Sequence, residues 1–235
     1  MDLFFLFDLS DAAVIGFKLA AVNRFIPAVA SRLPIASNKV RLGIAYFAGN
    51  IQLSIGLADG VTHRALDDTF QGATIGISGD RDTGAVFSYL TGNVFGAGRD
   101  GDRPFVPNYA VLVVDGPSQS QNTTLLGMYK AKAQGIRLIT VGVTSQASRS
   151  ELAEIASPPS DYYQFYIDSY DHLNSISDAL VDKLCSPIKP VMGEYVHVID
   201  TCVYSMRGIA YKIQSASKVL HKFHRQINVY FWQDF

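Results

Sequence analysis

Little in this sequence of 235 residues singles out a chemistry. Cysteine is scarce: the two present, Cys185 and Cys202, are too few for a disulfide-stapled scaffold. They fit either one disulfide closing a short loop in an oxidising compartment or a pair of free thiols. Charge of one sign is missing as well. Twenty Lys and Arg against 21 Asp and Glu leave a net charge of −1, which gives no electrostatic reason to expect a nucleic-acid partner. No apolar run approaches the ~20 residues that cross a bilayer, so membrane insertion is not expected. No basic stretch precedes the first apolar run, so the N-terminus is not a signal peptide. Because that run begins almost at once, the chain reads as a fragment of a longer one.

What is present is a core. At 48 % hydrophobic and 17 % charged, the chain can bury about 70 % of its unfolded surface. Leu3-Phe4-Phe5-Leu6-Phe7 reads as a buried strand, and Val14 to Leu33 carries apolar residues at helical spacing, with Pro27 expected to bend the helix. Val40–Phe47 and Ile51–Leu57, joined by Ala48-Gly49-Asn50, predict an antiparallel hairpin. Helices are then expected at Thr83–Val94, Thr123–Gln134, Ser150–Ala156 and Tyr170–Leu184, and strands at Tyr109–Val114, Ile136–Val143 and Gln164–Ile167. This alternation predicts an α/β fold, a doubly wound, mostly parallel sheet with one antiparallel edge strand and helices on both faces. Ser186-Pro187-Ile188-Lys189-Pro190 interrupts it. Residues 1–185 are therefore read as one domain and 186–235 as a linker and C-terminal extension of unassigned fold, with a strand near Tyr195–Tyr204 and a helix near Ile209–His224.

The chemistry of such a sheet sits beyond the carboxyl ends of its strands. Asp8 and Ser10 follow the first strand, Asp115 ends the Tyr109 strand, and Thr83 heads a helix. If those two strands are neighbours, the oxygens share one rim, suited to Mg²⁺ or Mn²⁺; zinc is disfavoured because no His or Cys stands near. Taken singly, Ser10, Asp11 and Thr83 are also ordinary helix caps.

These segments resemble the von Willebrand factor type A domain of collagen type VI, matrilins and integrin α-chain inserts. The family's metal-ion-dependent adhesion motif Asp-x-Ser-x-Ser is matched by Asp8, Ser10 and Ala12, its threonine by Thr83 in Arg81-Asp82-Thr83-Gly84-Ala85, and its fourth-strand aspartate by Asp115. Asn38–Phe47, Ala133–Val143, Glu151–Ser157 and Leu180–Cys185 are similar to other stretches of the family, so the likeness runs over residues 3–185. It implies a non-enzymatic, secreted adhesion or extracellular-matrix module. Asp8, Ser10, Thr83 and Asp115 would hold Mg²⁺ or Mn²⁺, completed by a carboxylate from a matrix or cell-surface protein, collagen included. Ala12 stands where a ligand serine is expected, which predicts cation affinity at least about tenfold lower and a gain on Ala12→Ser. The alternatives are a metal-free structural spacer, with Asp8 and Asp115 accepting only backbone hydrogen bonds, and a nucleotide-dependent α/β enzyme component.

Other patterns point elsewhere. Gly96-Ala97-Gly98-Arg99-Asp100-Gly101 has the dinucleotide-binding formula but follows a helix rather than a strand, and it reads as a loop. Asn122-Thr123-Thr124 is a glycosylation sequon, meaningful only in a secreted chain. His221 and His224, with Lys212, Lys218, Lys222 and Arg225, form a mildly basic stretch that reads as a solvated helix face, without a third metal ligand. No nucleophile, histidine and acid converge in the sequence.

Overall fold

In β1, Asp2–Asp8, the strand proposed at the start of the chain is buried from end to end. The structure, a computed structural model, describes residues 1–69, 76–77, 79–96 and 99–185. Cys202, the Ser186–Pro190 linker, both proposed C-terminal elements and the His221/His224 pair lie outside those residues. Among the described residues six strands form one sheet: β1, β2 (Arg41–Phe47), β3 (Ile51–Ile55), β4 (Asn108–Val114), β5 (Arg137–Val143) and β6 (Gln164–Ile167), in the order β3-β2-β1-β4-β5-β6. Every pairing is parallel except β2 with β3, the expected hairpin.

Side chains alternate across a strand, and β1 uses both faces. Leu3, Phe5 and Phe7 join the core beneath α1 (Ile15–Ala30) and α6 (Ser177–Cys185). Phe4 and Leu6 join the core beneath α3 (Thr83–Tyr89), α4 (Gln121–Ala133) and α5 (Arg149–Ile155). A strand covered on both sides has no polar face to show, which is why it reads as an unbroken apolar run. Close packing sets Gly43 in β2: a Cβ there would come within 2.4 Å of the Phe4 ring.

Three helical stretches differ from the sequence reading. The Thr83–Val94 helix is α-helical only to Tyr89 and widens into a π-helical turn at Leu90–Val94. The Tyr170–Leu184 helix opens with a 3₁₀ segment, Tyr170–Ile176, before α6. An unforeseen helix, α2 (His63–Thr69), buries Leu66; one apolar contact over two turns gives too weak a periodicity to detect. Pro27 lies inside α1, which continues past it to Ala30. Cys185, the last residue of α6, is disulfide-bonded and not a free thiol.

Order reverses between β1 and β4: the chain leaves β1 towards β2 on one side, and β4 leads to β5 on the other. That reversal opens the crevice in which open α/β sheets hold their ligands. Asp8 is the last residue of β1 and Asp115 follows β4 directly, so both face it. The Gly96–Gly101 stretch ends in a 3₁₀ turn, Arg99–Gly101. Arg103, just beyond, bonds to Asp2 at the opposite end of β1, so the Arg99–Gly101 turn is remote from the crevice.

Candidate functional site

At the crevice the two strand-end carboxylates meet one guanidinium. Arg81 donates from Nε to Asp8 Oδ2 and from Nη2 to Asp115 Oδ1. The second oxygen of Asp115 lies 2.6 Å from Lys18 Nζ, and the second oxygen of Asp8 accepts from the Ser10 amide at 2.9 Å. All four carboxylate oxygens are thereby engaged, three of them by side-chain cations. Asp8 and Lys18 are fully buried, while the side chains of Asp115 and Arg81 keep 14 % and 17 % of their exposure.

Local structure explains each position. Lys18 lies near the start of α1, in the buried stripe that continues through Ala21, Val22, Phe25, Ile26 and Val29. Its ammonium reaches over the end of β1 to the Asp8 carbonyl at 3.4 Å and lies 5.3 Å from the centre of the Tyr170 ring. The Tyr170 hydroxyl donates to the same carbonyl at 3.4 Å. Arg81 precedes α3 on a loop tied to the β4–α4 loop: Gln119 N donates to Arg81 O at 2.9 Å, and Arg81 Nη1 donates to Pro117 O at 3.2 Å. Ser118, in that second loop, hydrogen-bonds the largely buried Glu151 of α5 through both its amide and its hydroxyl. The main chain of Arg81 is thus tied to the β4–α4 loop, and the guanidinium itself has one backbone bond, to Pro117 O, besides its two carboxylates.

Ionisation follows the geometry. Burial, the largest influence on Asp8, pushes its carboxyl up; the Arg81 charge and the hydrogen bonds from Ser10 and Arg81 outweigh it, and the net shift is downward. Asp115 moves the other way: burial raises it, with the neighbouring Asp8 charge adding to the rise and Lys18 opposing it. Two carboxylates that share a site divide in this manner, one held ionised and the other raised. Burial depresses the Arg81 guanidinium, but the two aspartates more than compensate and raise it. Burial and the same two carboxylates push Tyr170 far above an ordinary phenol.

Asp8, Ser10 and Asp115, named from sequence, thus fall into one hydrogen-bonded network. Thr83 is buried at the first position of α3, and among the described residues it is not a member of that network. Neither Thr83 nor Ser10 caps a helix: Asp82 takes that role for α3, accepting from Ala85 N at 2.9 Å, and Asp11 does so for the turn at Ala12–Val14, accepting from Ala13 N at 3.0 Å. Sequence reasoning missed Lys18 and Arg81. Lys18 was detectable, because extending the apolar stripe of α1 backwards from Val29 lands on it; Val14 and Phe17, which the spacing placed in that stripe, are exposed.

A divalent cation fits this arrangement poorly. Mg²⁺ wants six oxygens in near-octahedral order, Ala12 offers none, and the carboxylates are already neutralised by two side-chain cations. Among the described residues no group of three or more His, Cys, Asp or Glu side chains is disposed to hold a metal. Beside the network lies a cavity of about 340 Å³, lined by residues including Val14, Phe17, Lys18, Arg81, Asp115 and Tyr170. Val14 and Phe17 are exposed large apolar residues, so the opening pairs a charged floor with an apolar lip.

The model of the von Willebrand factor type A domain family matches residues 2–179. Among curated proteins, mouse matrilin-4 is 26 % identical over 84 % of this chain and 31 % of its own length, and mouse collagen alpha-4(VI) chain is 26 % identical over 85 % and 9 %. The chain therefore spans about a third or less of these relatives. Proximal thread matrix protein 1 from the mussel byssus, solved with a zinc-occupied adhesion motif, superposes with a TM-score of 0.71 at 19 % identity, over 78 % of this chain and 48 % of that one. The manganese-loaded TRAP protein of Plasmodium vivax gives 0.59 at 17 % identity, over 77 % and 73 %.

Proposed function

The chain belongs to the von Willebrand factor type A family, and on that premise we propose that residues 1–185 are a non-enzymatic protein-binding module of the extracellular matrix. Its binding surface is the rim around Arg81. The supporting observation is the composition of that rim: a guanidinium already desolvated between two carboxylates, bordered by a cavity and by exposed Val14 and Phe17. Arginine beside apolar surface characterises protein-binding sites. The partner is a matrix or cell-surface protein, collagen included, that presents an acidic residue to Arg81. A secreted location agrees with the disulfide at Cys185 and with the matrilin and collagen relatives. Among the described residues no helix is long and apolar enough to cross a membrane.

A second reading keeps Mg²⁺ or Mn²⁺ at Asp8, Ser10, Thr83 and Asp115. Its support is that Arg81 sits on a loop and is partly exposed, and that two solved relatives in fold carry zinc and manganese by their descriptions. This reading requires the guanidinium to leave. The experiment is surface plasmon resonance of the chain over immobilised collagens I, VI and XII and matrilins, with Arg81→Glu as the control. Binding that Arg81→Glu lowers at least tenfold supports the rim. Binding that it leaves unchanged moves the contact to another face, and no binding across the panel favours a structural spacer.

A further inference from the structure

We infer that this rim carries its own cation: Lys18 and Arg81 stand in for a divalent ion, so the domain neither requires nor takes up Mg²⁺ or Mn²⁺. The inference concerns the ionic state of the crevice and stands apart from the protein-binding reading. Two carboxylates bring two negative charges, and the ammonium and guanidinium bring two positive ones, with contacts to three of the four carboxylate oxygens. Nothing remains for a further double charge to neutralise.

The two cations differ in how they could yield. Arg81 is partly exposed at the mouth of the crevice, anchored by one bond to Pro117 O besides its carboxylates. A swing of that side chain would free one oxygen of each aspartate. Lys18 has no such freedom. It is fully buried, 2.6 Å from Asp115, beneath Tyr170 and on the packed stripe of α1. A metal ion among these oxygens would lie next to a fully buried ammonium, where the repulsion is weakly screened. Lys18 is thus the fixed substitute and Arg81 the latch over it, and opening the latch alone does not create a metal site.

That asymmetry sets the test. Mn²⁺ is titrated by calorimetry into chelator-stripped wild type, Arg81→Gln, Lys18→Met and the double variant Lys18→Met/Arg81→Gln, each checked for folding by circular dichroism. Wild type and Arg81→Gln are expected to give no binding heat up to millimolar Mn²⁺. The double variant, with the carboxylates released, is expected to bind at least tenfold more tightly than either. Thermal unfolding provides a second reading that does not depend on the Lys18 variants folding: the Tm of wild type stays the same in EDTA and in millimolar Mn²⁺, whereas a micromolar site would raise it by about 5 °C or more. Binding of Mn²⁺ by wild type that Asp115→Asn abolishes would overturn the inference. So would a folded double variant that still binds none, or a Mn²⁺-dependent rise in the Tm of wild type.

Discussion

Both ends of β1 bury an aspartate against an arginine. At the amino end, Asp2 accepts from Arg103 Nε at 3.0 Å, Nη2 at 2.5 Å and the Arg103 amide at 3.0 Å. The same guanidinium also donates to the backbone oxygens of Met1, Ser37 and Lys39. One negative charge meets one positive charge, and the guanidinium is used up on main chain. At the carboxyl end Arg81 is shared by Asp8 and Asp115, a buried lysine supplies the second positive charge, and the assembly faces a cavity. Residue type and burial are alike; what differs is the surroundings of the pair. The amino end is a clasp that holds strand, loop and chain start together. The carboxyl end keeps an arginine at an opening where a partner can reach it.

The comparison predicts a graded response. Arg103→Met strands Asp2, fully buried, without its guanidinium, so denaturant unfolding should show a loss of about 3–5 kcal/mol, with binding by the surviving folded protein unchanged. Arg81→Met should cost less, about 1–3 kcal/mol, because Lys18 remains as a cation against Asp115 and at the end of β1, and because Arg81 gives up one backbone bond where Arg103 gives up three. It should nonetheless lower partner affinity at least tenfold. Equal losses of stability with no effect on binding would make the two ends equivalent and remove the functional distinction.

Acid should act through the carboxyl end with a definite sign. Asp8 is held below the usual carboxylate range in the folded protein, so its contribution is complete above about pH 4 and disappears as pH falls through its lowered folded value. Asp115 is raised and has the opposite effect: protonating it on the way down from neutral pH favours the fold. Urea midpoints followed from pH 6 to 3 should therefore fall less steeply in Asp8→Asn than in wild type, and at least as steeply in Asp115→Asn. The same slope in wild type and Asp8→Asn would contradict the ion pair at Asp8.

The smallest effect on stability is expected from Gly116→Ala. A Cβ there would lie 2.5 Å from Arg81 Nη1, and the guanidinium, being the far end of a flexible side chain, can move. The cost should be about 1 kcal/mol, the low end for overpacking. Partner binding should fall clearly more than stability does, because the substitution displaces Arg81 without altering any charge.

Much of this was legible in the sequence, for identifiable reasons. Strands buried on two faces advertise themselves as apolar runs, and the order of strand and helix brought β1 and β4 together, which placed Asp8 and Asp115 on one rim. The Ala48-Gly49-Asn50 turn defined the antiparallel edge. Arg81 was hidden because a charged side chain in sequence looks like a solvated one, and Lys18 was passed over for the same reason although the α1 stripe leads to it. Lys18 is buried only because its place in the α1 stripe coincides with the end of β1, and Arg81 engages only because two loops distant in sequence meet across the crevice. The π turn at Leu90–Val94 and the 3₁₀ start at Tyr170 keep the apolar spacing of a helix closely enough that periodicity does not separate them from one.

The most direct test is an X-ray structure of the wild-type chain crystallised in millimolar Mn²⁺, with anomalous differences collected to locate the ion. The account predicts the Arg81 guanidinium between Asp8 and Asp115, Lys18 against Asp115, and no manganese peak at the rim. A peak bonded to Asp8, Ser10, Thr83 or Asp115, with Arg81 turned out to solvent, would contradict it.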